Sequence, residues 1–212
     1  MRRLTISIFA LPLLAAIALP LPAWAGAQIY EPLSASVQAA LYKAVSDHAV
    51  PYLAFQDEGE AREWLNAMSK KLVKRMPERV QREEFLVTVH YEAKRAGLDP
   101  QMVLGLIQVE SNFRKYAVSS AGARGFMQVM PFWIKLVGAR DNNLFHLRTN
   151  LRYGCVILRH YLDIENGNLF RALGRYNGSL GKAEYPNTVV RAWHNNWQFP
   201  VRTADARSDG RS

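Results

Sequence analysis

Apolar residues recur at helical spacing along most of this chain and almost nowhere at the two-residue spacing of a strand. From Ser34 to His48, Val37, Leu41, Ala44 and Val45 share one face, and Pro51 ends the run. A second periodic run, Glu58 to Arg75, places Ala61, Trp64, Leu65, Met68 and Leu72 together and Lys70, Lys71, Lys74 and Arg75 opposite, the pattern of a solvated face. Pro77 opens a third helix to about Ala96, with Phe85, Leu86, Val89 and Ala93 inward and Gly97 as its C-cap. The most marked stretch follows, DPQMVLGLIQVESNFRKYAVSSAGARGFMQVMP from Asp99 to Pro131. Asp99 is an N-cap and Pro100 suits the first helical position. Met102, Val103, Leu104, Leu106, Ile107 and Val109 then cover most of the circumference, the mark of a buried helix.

Periodicity fails after Ser111. Ser119, Ser120, Gly122 and Gly125 predict a loop or small hairpin over 113–125. Pro131 starts a short helix through Val137, and the segment 140–148 is polar and irregular. Thr149 or Asn150 can cap a helix to about Ile164, and Gly167-Asn168 start another through Tyr176. Residues 178–181 read as a turn, and Pro186 starts a last helix carrying Val189, Val190 and Trp193. There is no internal repeat. The expected fold class is mainly α, with at most a small hairpin.

The two ends read differently. Arg2 and Arg3 precede an apolar run from Leu4 to Leu19, then Pro20, Pro22 and Ala23-Trp24-Ala25, the pattern of a secretory leader cleaved after Ala25. No cysteine follows that run to carry a lipid, and no later run is long enough to span a bilayer. The tail 200–212 is rich in Arg, Asp, Ser and Gly and reads as disordered. The chain has 212 residues with 27 Lys and Arg against 18 Asp and Glu. Removal of Arg2 and Arg3 with the leader takes the net charge from +9 to +7, which suits a polyanionic partner such as a cell-wall polymer. Nucleic acid would rest on charge and Trp193 and Trp197 alone, and export argues against it. The single cysteine, Cys155, excludes an intramolecular disulfide and lies in an apolar run, as a small buried hydrophobe would.

Candidate chemistry centres on Glu110. Helical spacing puts it on the face of Val103, Leu106 and Ile107, with Gln101, Gly105, Gln108 and Asn112 as a narrow polar stripe. Burial and the negative end of the helix dipole both disfavour its ionised form, so a raised pKa is expected, as a general acid near neutral pH requires. The segment 111–140 holds no Asp or Glu, and the acids between it and the tail are Asp141, Asp163, Glu165 and Glu184. Glycoside hydrolysis normally uses two carboxylates. A solitary acid instead suggests acid and base work by one residue, with the nucleophile supplied from elsewhere. His48, His90, His146, His160 and His194 show no metal-ligand spacing, so no metal or other cofactor is expected.

Five further elements stand in order with Glu110-Ser111: Ala117-Val118-Ser119, the G-x-M-Q-x-M-P run from Gly125 to Pro131, Asn150-Leu151-x-x-Gly154, Tyr176-Asn177 and Tyr185. Together they resemble the family 1 lytic transglycosylases of the soluble type, over about residues 85–197. The resemblance implies a lysozyme-like, goose-type helical domain. It also implies cleavage of the β-1,4 bond between N-acetylmuramic acid and N-acetylglucosamine in peptidoglycan. One glutamate protonates the leaving oxygen, then acts as base toward the C6 hydroxyl, which closes a 1,6-anhydro ring. The nucleophile thus sits inside the substrate, in keeping with the absent second carboxylate, and gains from high effective molarity. By the same resemblance Glu110 is the catalytic residue. Ser111 would orient the acid or contact sugar, and Ser119 belongs to the matching loop. Met127 and Gln128 would line the cleft, Tyr176 would lie close to the acid, Asn177 would contact glycan and Tyr185 would flank the cleft.

Three positions depart from the family pattern. Arg175 stands where Ala is usual, Gly178-Ser179 where Ala-Gly is usual, and Phe126 where Leu is common. The expected organisation is a leader (1–25), an N-terminal helical extension (26–84), a catalytic domain (85–199) and a tail (200–212). The expected location is the periplasm, without a membrane anchor after cleavage. The expected partner is the peptidoglycan glycan strand, with a secretion or cell-envelope machine compatible as a second. A lysozyme-like hydrolase, or a non-catalytic peptidoglycan-binding or secretion-assembly protein on the same scaffold, is the competing reading.

Overall fold

Asp99 caps the helix around which the chain is built, its carboxylate accepting the N–H groups of Gln101 and Met102 at 2.6 and 3.0 Å. The computed structural model describes residues 28–46, 49–138 and 142–199. The expected leader, the tail and His48 lie outside them. In chain order the described residues form α1 (Ala35–Val45), α2 (Glu58–Leu72), α3 (Arg79–Arg95), α4 (Pro100–Ser111), α5 (Phe132–Val137), α6 (Leu147–Ile164), α7 (Leu169–Asn177) and α8 (Glu184–Asn196). Extended pairing is limited to isolated bridges, Val118 with Arg124 and Arg124 with Val129. The mainly helical architecture with a rudimentary hairpin is therefore the one present.

Helix α4 is buried almost all round. Val103, Leu104, Leu106 and Ile107 are inaccessible to solvent. Its polar stripe is covered as well. A Cβ on Gly105 would lie 2.8 Å from the backbone nitrogen of Trp193, so α8 packs directly on that glycine. Gln108 accepts from the Trp197 indole at 2.8 Å and the Asn196 amide at 3.2 Å. What the spacing marked as a polar stripe is thus the seam between α4 and α8.

Helices α1 and α2 join the same hydrophobic core. Leu41 and Val45 from α1 and Trp64, Met68 and Leu72 from α2 are buried with the residues of α3 to α8. The basic face of α2 is not purely solvated. Lys71 donates to the carbonyls of Asn196 and Gln198, both at 3.0 Å, and Arg75 donates to Asn112 at 2.8 Å. Lys71 therefore ties α2 to the C-terminal segment, and Arg75, in the turn after it, ties that turn to the end of α4.

Three boundaries differ from the sequence reading. Helix α2 ends at Leu72 and continues as a turn rather than reaching Arg75. Helix α8 starts at Glu184, which places Pro186 inside its first turn, where a missing N–H costs nothing. Helix α6 starts at Leu147 with His146 at the N-cap position, so neither Thr149 nor Asn150 caps it. Asn150 is engaged elsewhere.

Two buried polar groups also hold the scaffold. Glu92 of α3 takes Arg152 of α6 at 2.8 and 3.2 Å, with Arg148 at 3.5 Å. His90 stacks on Phe55 at 4.6 Å and meets Trp64 edge-on at 4.9 Å, while its Nδ1 accepts the Ala54 N–H. Cys155 is buried and free, and burial pushes its thiol pKa up, as befits a core hydrophobe.

Candidate active site

Glu110 occupies the last turn of α4 and is 6% exposed. The chain reverses immediately after it. Asn112 and Phe113 both adopt left-handed backbone at φ 49° and 64°, which ends the helix and turns the chain into the loop. Phe113 fills a pocket against Phe85 and Trp197, so the reversal is held by aromatic packing.

Tyr185, in the first turn of α8, donates its hydroxyl hydrogen to Glu110 Oε1. Burial and then the charge of Glu110 push the Tyr185 pKa well up, which keeps this phenol protonated and donating. Tyr176 is fully buried and raised by the same two causes in the same order. Its hydroxyl donates to the Met127 carbonyl at 2.7 Å. Tyr185 rather than Tyr176 is therefore the phenol hydrogen-bonded to the acid.

The Gly125–Pro131 run forms a tight turn held from several directions. Ser111 donates to the Phe126 carbonyl at 2.7 Å, which fastens the turn to the end of α4. Gln128 has left-handed backbone at φ 48°, and its side chain donates to the carbonyls of Gly125 at 2.9 Å and Ala117 at 3.1 Å. Asn150 accepts the Met127 N–H and donates to the carbonyls of Arg124 and Leu144, each at 2.8 Å. Met127 packs so tightly on α6 that a Cβ on Gly154 would lie 2.4 Å from its sulfur. The N-L-x-x-G element thus has a physical meaning: Asn150 pins the turn, and Gly154 makes room for Met127.

The structure brings Glu110, Ser111, Met127, Gln128, Tyr176 and Tyr185 together as one buried cluster, linked through Phe126 and Met127. Ser111, Gln128 and Tyr176 are buried, their polar atoms committed to protein partners. Ser119 is half-buried at the hairpin turn, where its hydroxyl accepts the Ala123 N–H at 3.0 Å. Asn177 is half-buried at the end of α7 beside Gly178, whose φ of 77° closes the helix. No hydrogen bond given for Ser119 or Asn177 reaches the Glu110 cluster.

The remaining buried carboxylates among the described residues meet guanidiniums. Glu92 takes Arg152, and Glu165 takes Arg171 and Arg175, which lower its pKa. Glu110 meets a phenol instead. Arg175, the departure before Tyr176, also donates to Glu31 at 3.1 Å. Asn150 joins this cluster through the Met127 N–H, and Gln28 joins it through the Gln128 carbonyl and the Met130 N–H; the sequence reading assigned neither to the site. Asn150 had a signal in its fixed offset to Gly154. Gln28 had none.

The family model described as "Transglycosylase SLT domain" matches residues 88–192, from within α3 to within α8. This stretch belongs to the transglycosylase SLT family. The SLT domain so defined contains every residue of the Glu110 cluster except Gln28. Among curated relatives, "Membrane-bound lytic murein transglycosylase C" of Histophilus somni is 29% identical over 138 residues, 58% of this chain and 36% of the relative. "Transglycosylase" of Enterobacteria phage PRD1 is 33% identical over 111 residues, 49% of this chain and 41% of the relative. The chain thus spans about two-fifths or less of these relatives' length. A solved structure of an inactive mutant of lytic transglycosylase Slt from Pseudomonas aeruginosa aligns with a TM-score of 0.42 at 21% identity, covering 64% of this chain and 25% of that one.

Proposed function

We propose that this chain is a peptidoglycan lytic transglycosylase that cleaves between N-acetylmuramic acid and N-acetylglucosamine and leaves 1,6-anhydro ends. The observation that carries the reading is Glu110: a buried carboxyl at the end of α4, hydrogen-bonded to Tyr185, inside residues that match the SLT family. In this mechanism Glu110 gives its proton to the leaving glycosidic oxygen. The resulting carboxylate takes the proton of the muramoyl C6 hydroxyl as that oxygen attacks the anomeric carbon. One residue serves both steps, so no second carboxylate is needed. Tyr185 steadies Glu110 once it is ionised, because a phenol donor favours the charged form. Turn residues Met127 and Gln128 form the wall next to the acid, Ser111 fixes that wall to α4, and Tyr176 holds it from α7. Ser119 and Asn177, half-exposed, are the residues of this set placed to touch glycan at the rim.

Residues 85–199 form the catalytic domain in this reading, with 26–84 as an extension packed on it. The leader-like N-terminus supports export to the periplasm, where peptidoglycan lies. Among the described residues no helix is long and apolar enough to cross a membrane. Service to a secretion or cell-envelope machine fits a small, basic wall-cutting enzyme.

The test is digestion of purified sacculi with mass spectrometry of the soluble fragments. Anhydro-ended muropeptides are the expected product, and reducing ends would reassign the protein as a hydrolase. Glu110→Gln, which cannot donate the proton, should lower release at least a hundredfold at an unchanged melting temperature. Full activity in that variant would remove Glu110 from the mechanism.

A further inference from the structure

Gln28 lies before the first helix, in a lead-in whose neighbours Ile29 and Tyr30 are 59% and 57% exposed. Gln28 itself is 3% exposed. Its amide reaches two backbone groups of the turn beside Glu110. Oε1 accepts the Met130 N–H at 3.1 Å. Nε2 donates to the Gln128 carbonyl at 3.3 Å.

We propose that Gln28 is a positioning residue for the active site, holding the left-handed turn at Gln128 through the Gln128 carbonyl and the Met130 N–H. This rests on the function proposed above. Tyr176 donates its hydroxyl hydrogen to the Met127 carbonyl, the two oxygens 2.7 Å apart. Tyr176 then braces the turn, and Tyr185 is left to serve Glu110. The turn needs bracing because a non-glycine residue at φ 48° sits in a sparsely populated conformation, which persists only where its surroundings over-determine it. The Gln128 side chain restrains the turn from the hairpin, Asn150 from α6 and Tyr176 from α7. Gln28 restrains it from a fourth direction, through the two backbone groups that flank Val129.

The lead-in has its own anchors. Glu31 pairs with Arg175 at 3.1 Å, and Tyr30 packs edge-on against Phe132 at 5.7 Å. Arg175 also binds Glu165. The arginine that departs from the family pattern therefore fastens the lead-in beside Tyr176. The extension thereby becomes part of the site rather than an appendage.

The experiment uses the full purified chain and compares wild type, Gln28→Ala and Gln28→Glu. In Gln28→Ala, kcat on sacculi should fall roughly tenfold or more, as displaced groups in a preorganised site do. KM should stay within about twofold, since a buried amide does not bind glycan. In amide hydrogen exchange, the Met130 N–H should lose at least tenfold of its protection while Leu106 in α4 keeps its own. Gln28→Glu keeps the acceptor for Met130 but donates to the Gln128 carbonyl only when protonated, so its kcat should fall with rising pH more steeply than wild type. Wild-type kcat in Gln28→Ala, or a loss that follows the unfolded fraction alone, would overturn the positioning role. Unchanged protection at Met130 would overturn the geometry, whether or not the protein cleaves peptidoglycan. Absence of anhydro products from wild type would instead count against the proposed function, and the exchange measurement would still decide the role of Gln28 in holding the turn.

Discussion

Tyr185 donates its hydroxyl to Glu110 from 75 residues further along the chain. The contact exists because α8 packs on α4 at Gly105, which brings the first turn of one helix against the last turn of the other. Tyr185→Phe removes the donor and little volume. A hydrogen bond to a charged group contributes about 1.5–3 kcal/mol. Its loss disfavours ionised Glu110, so the pKa governing the acid should rise by about one to two units. The pH–rate profile on sacculi should move to higher pH by that amount, with a lower maximum. An unmoved profile would show that the phenol does not tune the acid.

Asn150 makes three hydrogen bonds, two of them buried, to the Gly125–Pro131 turn and its flanks. Asn150→Ala leaves the Met127 N–H and two carbonyls short of partners, at a cost of about 3 kcal/mol. For a chain of this size that lowers the melting temperature by on the order of 6–12 °C. Activity below the melt should fall as well, because the turn carries Met127 and Gln128. Calorimetry and sacculus digestion at 25 °C separate the two effects.

Gly105 is the contact point of α4 with α8, and the atoms a Cβ would meet belong to the backbone of Trp193. Backbone cannot swing aside as a side chain can. Gly105→Ala should therefore destabilise by about 1–3 kcal/mol through overpacking, despite the better helix propensity of alanine. Since the same displacement moves α8, the Tyr185 contact to Glu110 should weaken too. Urea unfolding and the pH–rate profile read the two consequences.

His90 has its pKa lowered to about 4, first by burial and then by the positive charge of Lys94. Its Nδ1 accepts a backbone N–H, which also requires that nitrogen to be unprotonated. The unfolded chain takes up this proton near pH 6.5 and the folded chain only near pH 4. The stability held by neutral His90 is thus fully present above about pH 6.5 and is lost as pH falls toward 4, by on the order of 2–3 kcal/mol. His90→Gln should flatten that part of the stability–pH curve. Denaturant midpoints at pH 7 and pH 4.5 provide the measurement.

Glu92 is buried among Arg152, Arg148 and Arg95 at the junction of α3 and α6. Glu92→Gln leaves buried guanidinium charge without its carboxylate and should destabilise by about 3–5 kcal/mol. Replacing the Glu92–Arg152 pair together by Leu and Met should cost markedly less, because neither charge then remains to be desolvated. A double-mutant cycle in urea resolves the coupling.

Helix positions, the capping of α4 by Asp99 and the burial of Glu110 were all legible in the chain, because each depends on residues within one or two helical turns. Spacing of 3 and 4 marks a helical face whatever that face packs on. The same reasoning failed where meaning depended on a distant partner. Gly105 and Gln108 looked like a polar stripe and are the seam with α8. Asn150 looked like a helix cap and instead pins the turn at Met127. Tyr176 and Tyr185 were both visible as tyrosines, but only packing decides which hydroxyl reaches Glu110 and which is spent on a carbonyl. Gln28 carried no local signal at all: a glutamine in an extended lead-in is ordinary until its amide meets Gln128 and Met130 roughly a hundred residues away. Local periodicity determined the helices and the acid, since those follow from backbone geometry near in sequence. The surroundings of the acid were decided by tertiary packing, since hydrogen-bond partners are chosen in space.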